Sequence, residues 1–294
     1  MKIVIAGAGG LVGGACAREL CARHEVLALT RRELDITAAE DCARLLRAER
    51  PQLVINCTVL GVDECERDPA WAQAVNADGP CALARLTNEV NADFLHFSTN
   101  YVFDGRAAPA AGYTVADEPR PISVYGRTKL AGERAVRAVA PRSFIVRTSW
   151  VFGADKENFF SMLPRRLRAG ERVRAARDVT ANTTYVVDLV ARVAEILARR
   201  HYATYHVVNE GICSYADFAR AAARCVGLSD AEAARLIEVV DEAALARRAP
   251  RPCHTPLRCL VSAQLGRAPL RDWRAALADY IQHDATATVQ LPAE

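Results

Sequence analysis

The sequence contains no uninterrupted apolar stretch of the roughly 18 residues that a membrane-spanning helix requires. Its first residues, Met1 to Ala6, form a short apolar run that leads directly into glycines. A secretory signal needs a longer apolar region followed by a small-residue cleavage site, which this segment does not have. We therefore expect neither membrane insertion nor secretion, and we predict a cytoplasmic protein.

The sequence also lacks any paired arrangement of cysteines. Its ten cysteines form no C-x-x-C motif and no grouping with histidine at metal-ligand spacing. Cys253 and His254 are adjacent, but no partner cluster accompanies them. Scattered cysteines of this kind are typical of buried thiols in a reducing compartment, so we predict no disulfides and no metal site.

The sequence also has no strongly charged region. The formal net charge is +3, and no basic run is interleaved with aromatic residues, so nucleic acid is not an expected partner. Lysine is scarce: of 38 basic residues only Lys2, Lys129 and Lys156 are lysine. A chain that uses arginine almost everywhere else has a lysine at position 129.

The first 150 residues alternate between short β-rich apolar runs and stretches with helical periodicity. The runs predict strands over 2–6, 25–30, 53–56, 94–98 and 144–147. The periodic stretches predict helices over 11–23, 37–49, 70–92 (with a break near Gly79-Pro80) and 123–139. Strict alternation predicts a Rossmann-type, doubly wound parallel sheet in an α/β protein, with ligands at the carboxyl ends of its strands.

The pattern loosens after Trp150. We expect a helix over 158–169 that breaks or starts at Pro164, then a helix over 184–200 and a strand over 205–209. Further helices are predicted over 214–226, 230–248 and 270–282, followed by a frayed tail from His283. We expect a cofactor domain over 1–152 to which 178–208 returns. Residues 153–177 and 209–282 would form a smaller mixed α/β substrate lobe, and 283–294 a tail.

A glycine-rich turn follows the first predicted strand. Gly7 permits the tight turn, Gly10 lets the backbone approach a pyrophosphate, and Gly13 lets the helix pack closely on the sheet. The motif is informative here because it follows a strand and opens a helix. We predict a dinucleotide site that also includes Leu11 and Val12, inside the turn.

The residues after the second strand indicate which dinucleotide binds. An NAD-selective site usually places an acidic residue there, whereas this chain offers Arg31 and Arg32, cations suited to a 2′-phosphate. We therefore favour NADP(H) over NAD(H). Asp35 is expected either to line the adenine pocket with Ile36 or to cap a helix near Thr37, and the sequence does not decide between the two.

Tyr125 and Lys129 are four residues apart in a predicted helix, so they share one face. A free phenol is a poor acid or base near neutral pH, and a neighbouring ammonium lowers its pKa by stabilising the phenolate. The same ammonium can hydrogen-bond the ribose of a cofactor. Ser98 and Thr99 end the fourth predicted strand, where either hydroxyl could donate to a reacting carbonyl.

These motifs together resemble an extended short-chain dehydrogenase/reductase, and within that superfamily the dTDP-4-dehydrorhamnose reductase family. The resemblance covers most of residues 1–282. It is carried by the glycine turn and by segments 54–69, 74–80, 98–105, 124–133, 147–153 and 209–219.

The resemblance implies a role for each matching position. Tyr125 would donate the proton, Lys129 would support it and bind the ribose, and Thr99 would complete the catalytic set. Trp150 would line the sugar pocket, with Asn100 and Tyr101 near it, and Arg251 would lie near the nucleotide of the substrate. The residues implied on the cofactor side are Asn76, Cys57, Thr58 and Val59. A homodimer is a further expectation, for which the sequence gives little evidence.

The chain also departs from the family pattern. Asn100 replaces a usual Asp, and 57–60 reads C-T-V-L rather than A-A-Y-T. Residues 178–184 differ from the usual segment, which contains Asp-Gln, then Gly, then Pro-Thr at intervals. These changes leave the residues for the reductase chemistry intact, but they mean that the resemblance does not identify the sugar. Some relatives bind a dimer-bridging metal through carboxylates of the first helix. The residue two places after Gly13 is Ala15, so we predict no such metal.

The leading hypothesis is an NADP(H)-dependent reductase of the 4-keto group of a nucleotide-linked 6-deoxy sugar. One alternative is a cofactor-binding regulatory subunit, similar to the β subunit of methionine adenosyltransferase. The other is a sugar-nucleotide epimerase.

Lys129→Arg tests the retained lysine. Arg keeps the charge but replaces a compact donor by a planar fork, so we expect a large loss of turnover. Steady-state assays with NADPH check this, and near-normal rates would mean that the position needs only a cation.

Overall fold

The computed structural model describes residues 1–106, 112–154 and 157–288. A six-stranded parallel sheet with helices on both faces forms its larger part. The predicted Rossmann-type α/β fold is therefore confirmed. The strands of this sheet are β1 (Lys2–Ala6), β2 (Glu25–Leu29), β3 (Leu53–Asn56), β4 (Asp93–Thr99), β5 (Ser143–Thr148) and β10 (Thr204–His206). They lie side by side in the order β10-β5-β4-β3-β1-β2.

Helices connect these strands and cover both faces. They are α1 (Leu11–Cys21), α2 (Ala39–Glu49), α3 (Val62–Arg67), α4 (Pro69–Gln73), α5 (Gly79–Glu89), α6 (Val124–Val139) and α8 (Val186–Arg199). Apolar side chains of α1 and α8 pack on one face of the sheet, and those of α2, α5 and α6 pack on the other. Parallel strands buried on both faces need continuous apolar runs, which β1, β3 and β5 supply.

The remaining elements build a second apolar core. They are β6 (Val151–Phe152), α7 (Phe159–Arg168), β7 (Val173–Ala176), β8 (Thr180–Ala181), β9 (Thr184–Tyr185), β11 (Asn209–Glu210), β12 (Cys213–Ser214), α9 (Tyr215–Cys225), α10 (Asp230–Leu236), β13 (Ile237–Val240), α11 (Leu260–Gln264), β14 (Leu270–Asp272) and α12 (Trp273–Thr288). Phe152, Phe160, Phe218, Trp273 and Tyr280 lie at the centre of this core.

Several element predictions were wrong in detail. Pro164 lies inside α7 without a break, because the helix is capped by Asn158 and its buried face, including Leu163 and Leu167, packs in the second core. The segment 230–248 is not one helix. Its β-branched stretch Ile237–Val240 pairs in parallel with β7, which fits strand better than helix.

Two other boundaries also differ. No break occurs at Gly79-Pro80, since a π-helical turn (Ala74–Asp78) leads straight into α5 and Pro80 occupies its first turn, where proline is tolerated. The last helix begins only at Trp273, after β14, and continues to Thr288, beyond the predicted fraying at His283. Residues 289–294 lie outside the described part. No helix among the described residues is long and apolar enough to cross a bilayer.

A buried ion pair joins α6, β5 and β10. The Arg147 guanidinium donates to both carboxylate oxygens of Glu133, at 2.6 to 3.2 Å, and both side chains are nearly inaccessible. The guanidinium also lies 3.4 Å from Nε2 of His206. Burial and this neighbouring cation lower the pKa of His206 to about 3, so the imidazole stays neutral.

Arg147→Met should destabilise the fold by about 3 kcal/mol, because it leaves the Glu133 carboxylate buried and unpaired. Urea unfolding measures the effect. The control is Arg177→Met, which removes an exposed ion pair with Asp241 and should change stability little. An equal loss of unfolding free energy in the two variants would show that the buried pair is no more important for stability than the exposed one.

Candidate active site

The glycine turn between β1 and α1 is shaped by two close approaches. Gly7 adopts φ +83°, and a Cβ there would lie 2.9 Å from the backbone of Cys57 and Thr58. A Cβ on Gly13 would lie 2.3 Å from the carbonyl oxygen of Gly7. Only glycine fits these positions, so the turn can hold α1 against β1 and β3.

The N-terminus of α1 faces this turn. Its N-cap residue is Gly10, which has no side chain to cap the first N–H groups of the helix. Such free N–H groups and the helix dipole favour an anion, as a dinucleotide pyrophosphate would supply.

A cavity of about 350 Å³ lies beside the turn. Eight predicted cofactor residues line it, namely Gly7, Gly10, Arg31, Asp35, Ile36, Cys57, Thr58 and Val59. Five more that the sequence reasoning did not identify complete the lining: Gly9, Leu34, Leu60, Trp71 and Val75. The mix of bare backbone, apolar walls and one cation fits a dinucleotide.

Seven predicted cofactor residues do not line this cavity: Leu11, Val12, Gly13, Asn76, Arg32, Tyr125 and Lys129. Leu11 and Gly13 are buried within α1, where they help to seat the helix. Arg32 is exposed beside Arg31.

Arg31 is held in place at the cavity by two neighbours. Its guanidinium carbon lies 5.1 Å from the ring centroid of Trp71, and its Nε lies 3.4 Å from a carboxylate oxygen of Asp35. The other oxygen of Asp35 accepts from the backbone N–H and hydroxyl of Thr37. These bonds lower the pKa of Asp35. Asp35 therefore both lines the cavity and closes a local turn, while α2 starts later, after Ala38.

Asn76 is fully buried and bonds to protein groups around the cavity wall. Its Oδ1 accepts from the N–H of Leu60 at 2.9 Å, and its Nδ2 donates to Thr128 Oγ1 at 3.2 Å. The side chain thereby holds the loop after β3 against α6. In the structure Asn76 supports the cavity wall from behind.

Thr99, Tyr125 and Lys129 converge at the carboxyl end of β4. The Thr99 hydroxyl lies beside that of Tyr125, and Lys129 Nζ donates to the carbonyl of Phe97 at 2.7 Å. Ser123 caps α6 and fixes where its first turn, with Tyr125, begins. Ser98, the other candidate hydroxyl, is buried, and its Oγ has no hydrogen-bond partner among the described residues.

The electrostatics of the pair differ from the sequence expectation. Burial raises the pKa of Tyr125 to about 12, and the neighbouring Thr99 hydroxyl only partly opposes this. Burial also lowers the pKa of Lys129 to about 8, which the nearby Glu133 carboxylate partly offsets. The expected lowering of the Tyr125 pKa is thus wrong, because desolvation of the buried phenol is the largest effect on it.

Asn100 and Tyr101 continue from Thr99 into the space between the two cores. Asn100 accepts from Thr99 Oγ1 and donates to Thr255 at 2.7 Å, so it links β4 to the C-terminal segment. The ring of Tyr101 meets Tyr125 edge to face at 5.6 Å. Both residues therefore lie next to Thr99 and Tyr125.

Trp150 marks the start of the second core. It adopts φ +40°, and its ring contacts those of Phe160 and Tyr215 at 5.1 and 4.4 Å. Its indole N–H is buried without a hydrogen-bond partner among the described residues. Buried donors are rarely left unsatisfied, so this N–H is a candidate ligand contact.

Arg251 is fixed by an interaction that crosses the molecule. Its guanidinium forms a bidentate pair with Asp63 on α3, with distances of 2.9 and 2.6 Å. Asp63 also accepts from the backbone N–H of Ala249, and these bonds lower its pKa. Nearby, the Arg247 guanidinium lies over the ring of Tyr215 at 4.9 Å.

Helix α3 proves to be a positioning element that the sequence reasoning missed. Asp63 holds Arg251, and Glu66 accepts from the N–H of Val124 at 2.7 Å, next to Tyr125. The available signal was the acidic run V-D-E-C-E, which carried part of the resemblance. Its separation from both partners in sequence concealed the contacts.

Comparison with known proteins agrees with this geometry. The model of the family described as "RmlD substrate binding domain" matches residues 1–286. A dTDP-4-dehydrorhamnose reductase of Mycolicibacterium smegmatis is 42% identical over 99% of this chain and 88% of its own.

Solved structures of the same kind superimpose closely. A dTDP-4-dehydrorhamnose reductase from Clostridium acetobutylicum has a TM-score of 0.90 and 32% identity, covering 97% of this chain and all of its own. One from Bacillus anthracis, in complex with NADP, has a TM-score of 0.90 and 28% identity over 96% of this chain and 99% of its own. The chain belongs to the dTDP-4-dehydrorhamnose reductase family of extended short-chain dehydrogenases/reductases.

Proposed function

We propose that this protein uses NADPH to reduce the 4-keto group of a nucleotide-linked 6-deoxy sugar of the dTDP-4-dehydrorhamnose type. The observation that carries the proposal is the meeting of Thr99, Tyr125 and Lys129 beside the glycine-turn cavity, in a chain of this family. The NADP complex of the related Bacillus anthracis reductase supports the choice of cofactor.

Each catalytic residue then has a defined task. NADPH, when bound, would supply the hydride that reduces the keto carbon. Tyr125 gives its hydroxyl proton to the carbonyl oxygen as the keto group is reduced to an alcohol, and Thr99 donates a hydrogen bond to the same oxygen. A raised pKa suits Tyr125 to this role, because the phenol keeps its proton until the alkoxide develops. Lys129 stabilises the phenolate that remains.

The substrate would lie between the two cores. We propose that Trp150 contacts the sugar through its unsatisfied N–H, with Asn100 and Tyr101 opposite, and that Arg251 faces the nucleotide diphosphate. The guanidinium of Arg251 is buried and already oriented by Asp63, which reduces the cost of ordering it on binding.

The two cores support the proposed domain division except at Phe152, Val179 and Tyr185, which pack in the second core. Residues 1–152 with 178–208 would bind the cofactor, since β10 joins the main sheet and α8 packs on it. Residues 153–177 and 209–282 would bind the sugar nucleotide. The ten free cysteines are consistent with the proposed cytoplasmic location, and a homodimer stays a prediction.

The deciding experiment measures NADPH oxidation with a panel of nucleotide-linked 4-keto sugars and, in parallel, a pull-down for a stoichiometric partner. Reduction of one of these sugars supports the proposal. Absence of turnover together with capture of a partner enzyme would favour the regulatory alternative, and interconversion of sugar epimers without net oxidation would favour the epimerase.

Tyr125→Phe removes only the acidic hydroxyl. We expect turnover to fall by about 10²-fold or more, the usual scale for loss of a general acid. NADPH should still bind, because the phenol does not line the cofactor cavity. Turnover assays check the loss of activity, and cofactor titration checks that NADPH still binds. Retained turnover would refute the mechanism.

Arg31→Ala tests cofactor selectivity. Loss of a charge-assisted bond to the 2′-phosphate should weaken NADPH binding about tenfold, roughly 1.4 kcal/mol, and leave NADH binding unchanged. Trp71→Leu should have a smaller effect in the same direction, because it removes the surface over which Arg31 lies.

Calorimetric titration with both cofactors measures these affinities. Arg32→Ala is the matched control, as Arg32 neighbours Arg31 but does not line the cavity. Equal losses for NADPH and NADH in Arg31→Ala would show that Arg31 has no role in selectivity.

A further inference from the structure

A chain of buried polar groups runs from the cofactor cavity to Lys129. Oδ1 of Asn56 accepts from the backbone N–H of Thr58 at 3.0 Å and from its hydroxyl at 2.7 Å. Nδ2 of Asn56 lies 3.1 Å from Nδ1 of His96, and Nε2 of His96 lies 3.3 Å from Nζ of Lys129. Asn56 and His96 are both fully buried.

The backbone fixes the direction of every bond in this chain. The N–H of Thr58 can only donate, so it orients the amide oxygen of Asn56 towards itself and the amide nitrogen towards His96. Nδ1 of His96 must then accept, and a neutral imidazole carries its one proton on Nε2. That proton is directed at Lys129, whose ammonium form has donors only and cannot accept it.

Nε2–H of His96 and the ammonium of Lys129 are both donors, and a further proton on His96 would not change this. Burial and the neighbouring Lys129 hold the pKa of His96 well below its usual range, so the ring stays neutral. The amine of Lys129 can accept from Nε2–H only after it loses its own proton, and it keeps its bond to the carbonyl of Phe97 in either state.

Other titratable groups also face Lys129 and have to be weighed. They come from each element packed around it: Glu133 on α6, Cys57 after β3, Cys65 on α3 and His96 on β4. Burial raises the pKa of both thiols, so they stay neutral near pH 7, and Glu133 is occupied by Arg147. His96 is the neutral group in this set that presents a donor to the amine.

We propose that His96 is a positioning residue for the reduction: by directing Nε2–H at Lys129 it makes this amine readier to lose its proton and so sets the alkaline end of the working pH range. The inference rests on the proposed function, in which charged Lys129 supports Tyr125. His96 itself touches neither substrate nor cofactor in this scheme.

The scarcity of lysine makes a direct test practical. With lysine ¹³C-labelled at Cε, the protein gives three signals, and comparison with Lys129→Arg identifies that of Lys129. Its titration in the ligand-free protein yields the pKa. Lys2, which pairs with Glu25 and Glu49 at the far end of β1, is the internal reference.

His96→Gln and Asn56→Asp should both raise this pKa by about one unit. A glutamine amide can turn its oxygen towards the ammonium and accept from it. An aspartate accepts from Nδ1–H and so moves the imidazole proton away from Nε2, which then accepts from Lys129. The matched control is His206→Gln, the same change at another buried histidine, which faces Arg147 and should leave the pKa of Lys129 unchanged.

The readout needs no sugar substrate, so it can fail or succeed independently of the proposed function. An unchanged Lys129 pKa in both folded variants overturns the inference. In turnover assays, the alkaline limb of the kcat profile of His96→Gln should move to higher pH by a similar amount. A merely structural role would lower stability or rate without moving this limb, and an unmoved limb overturns the role in the reaction.

Discussion

The close approach of α6 to the sheet is the constraint on which the site depends. A Cβ on Gly126 would lie 2.2 Å from the carbonyl oxygen of Tyr101, and one on Gly132 would lie 2.3 Å from that of Asn76. Glycine at these two positions lets the helix touch both the turn that follows β4 and the π-helical turn. Tyr125 and Lys129, on the same helix, are thereby pressed against Thr99 and Phe97. A helix seated one side-chain layer further out would leave the phenol and the amine in solvent.

That close seating determines the electrostatics of the pair. Burial disfavours charge on either group, which raises the pKa of Tyr125 and lowers that of Lys129. The site therefore holds a phenol that retains its proton and an amine that loses its proton more easily than usual. For a residue that must donate a proton to a developing alkoxide, this is the useful state. Assistance from Lys129 is needed only once the phenolate forms.

The sequence predicted best where the signal is local. The apolar run of β1, the glycines after it and the i, i+4 spacing of Tyr125 and Lys129 all act within one or two elements, and the structure places them as expected. Prediction failed where a partner lies far along the chain. Ile237–Val240 reads as part of a helix until β7 is available to pair with it.

The same reason explains the missed site residues. Asp63 meets Arg251 across 188 positions, and no periodicity can reveal such a contact. Trp71 is similar: it lies on an exposed short helix, and only the folded chain brings its ring under Arg31. The error over the Tyr125 pKa has a different origin. The sequence shows the charge of Lys129 but not the burial of the Tyr125 phenol, which is the largest cause of its raised pKa.

The lysine at position 129 can now be explained by more than the shape of its donor. The position is buried, and a histidine N–H faces it from β4. An arginine there could not relieve that contact, since a guanidinium stays charged at any physiological pH and has no acceptor. A lysine amine can give up its proton and accept the bond. This position therefore accommodates a cation that can become neutral better than the permanently charged arginine that is abundant elsewhere in this chain.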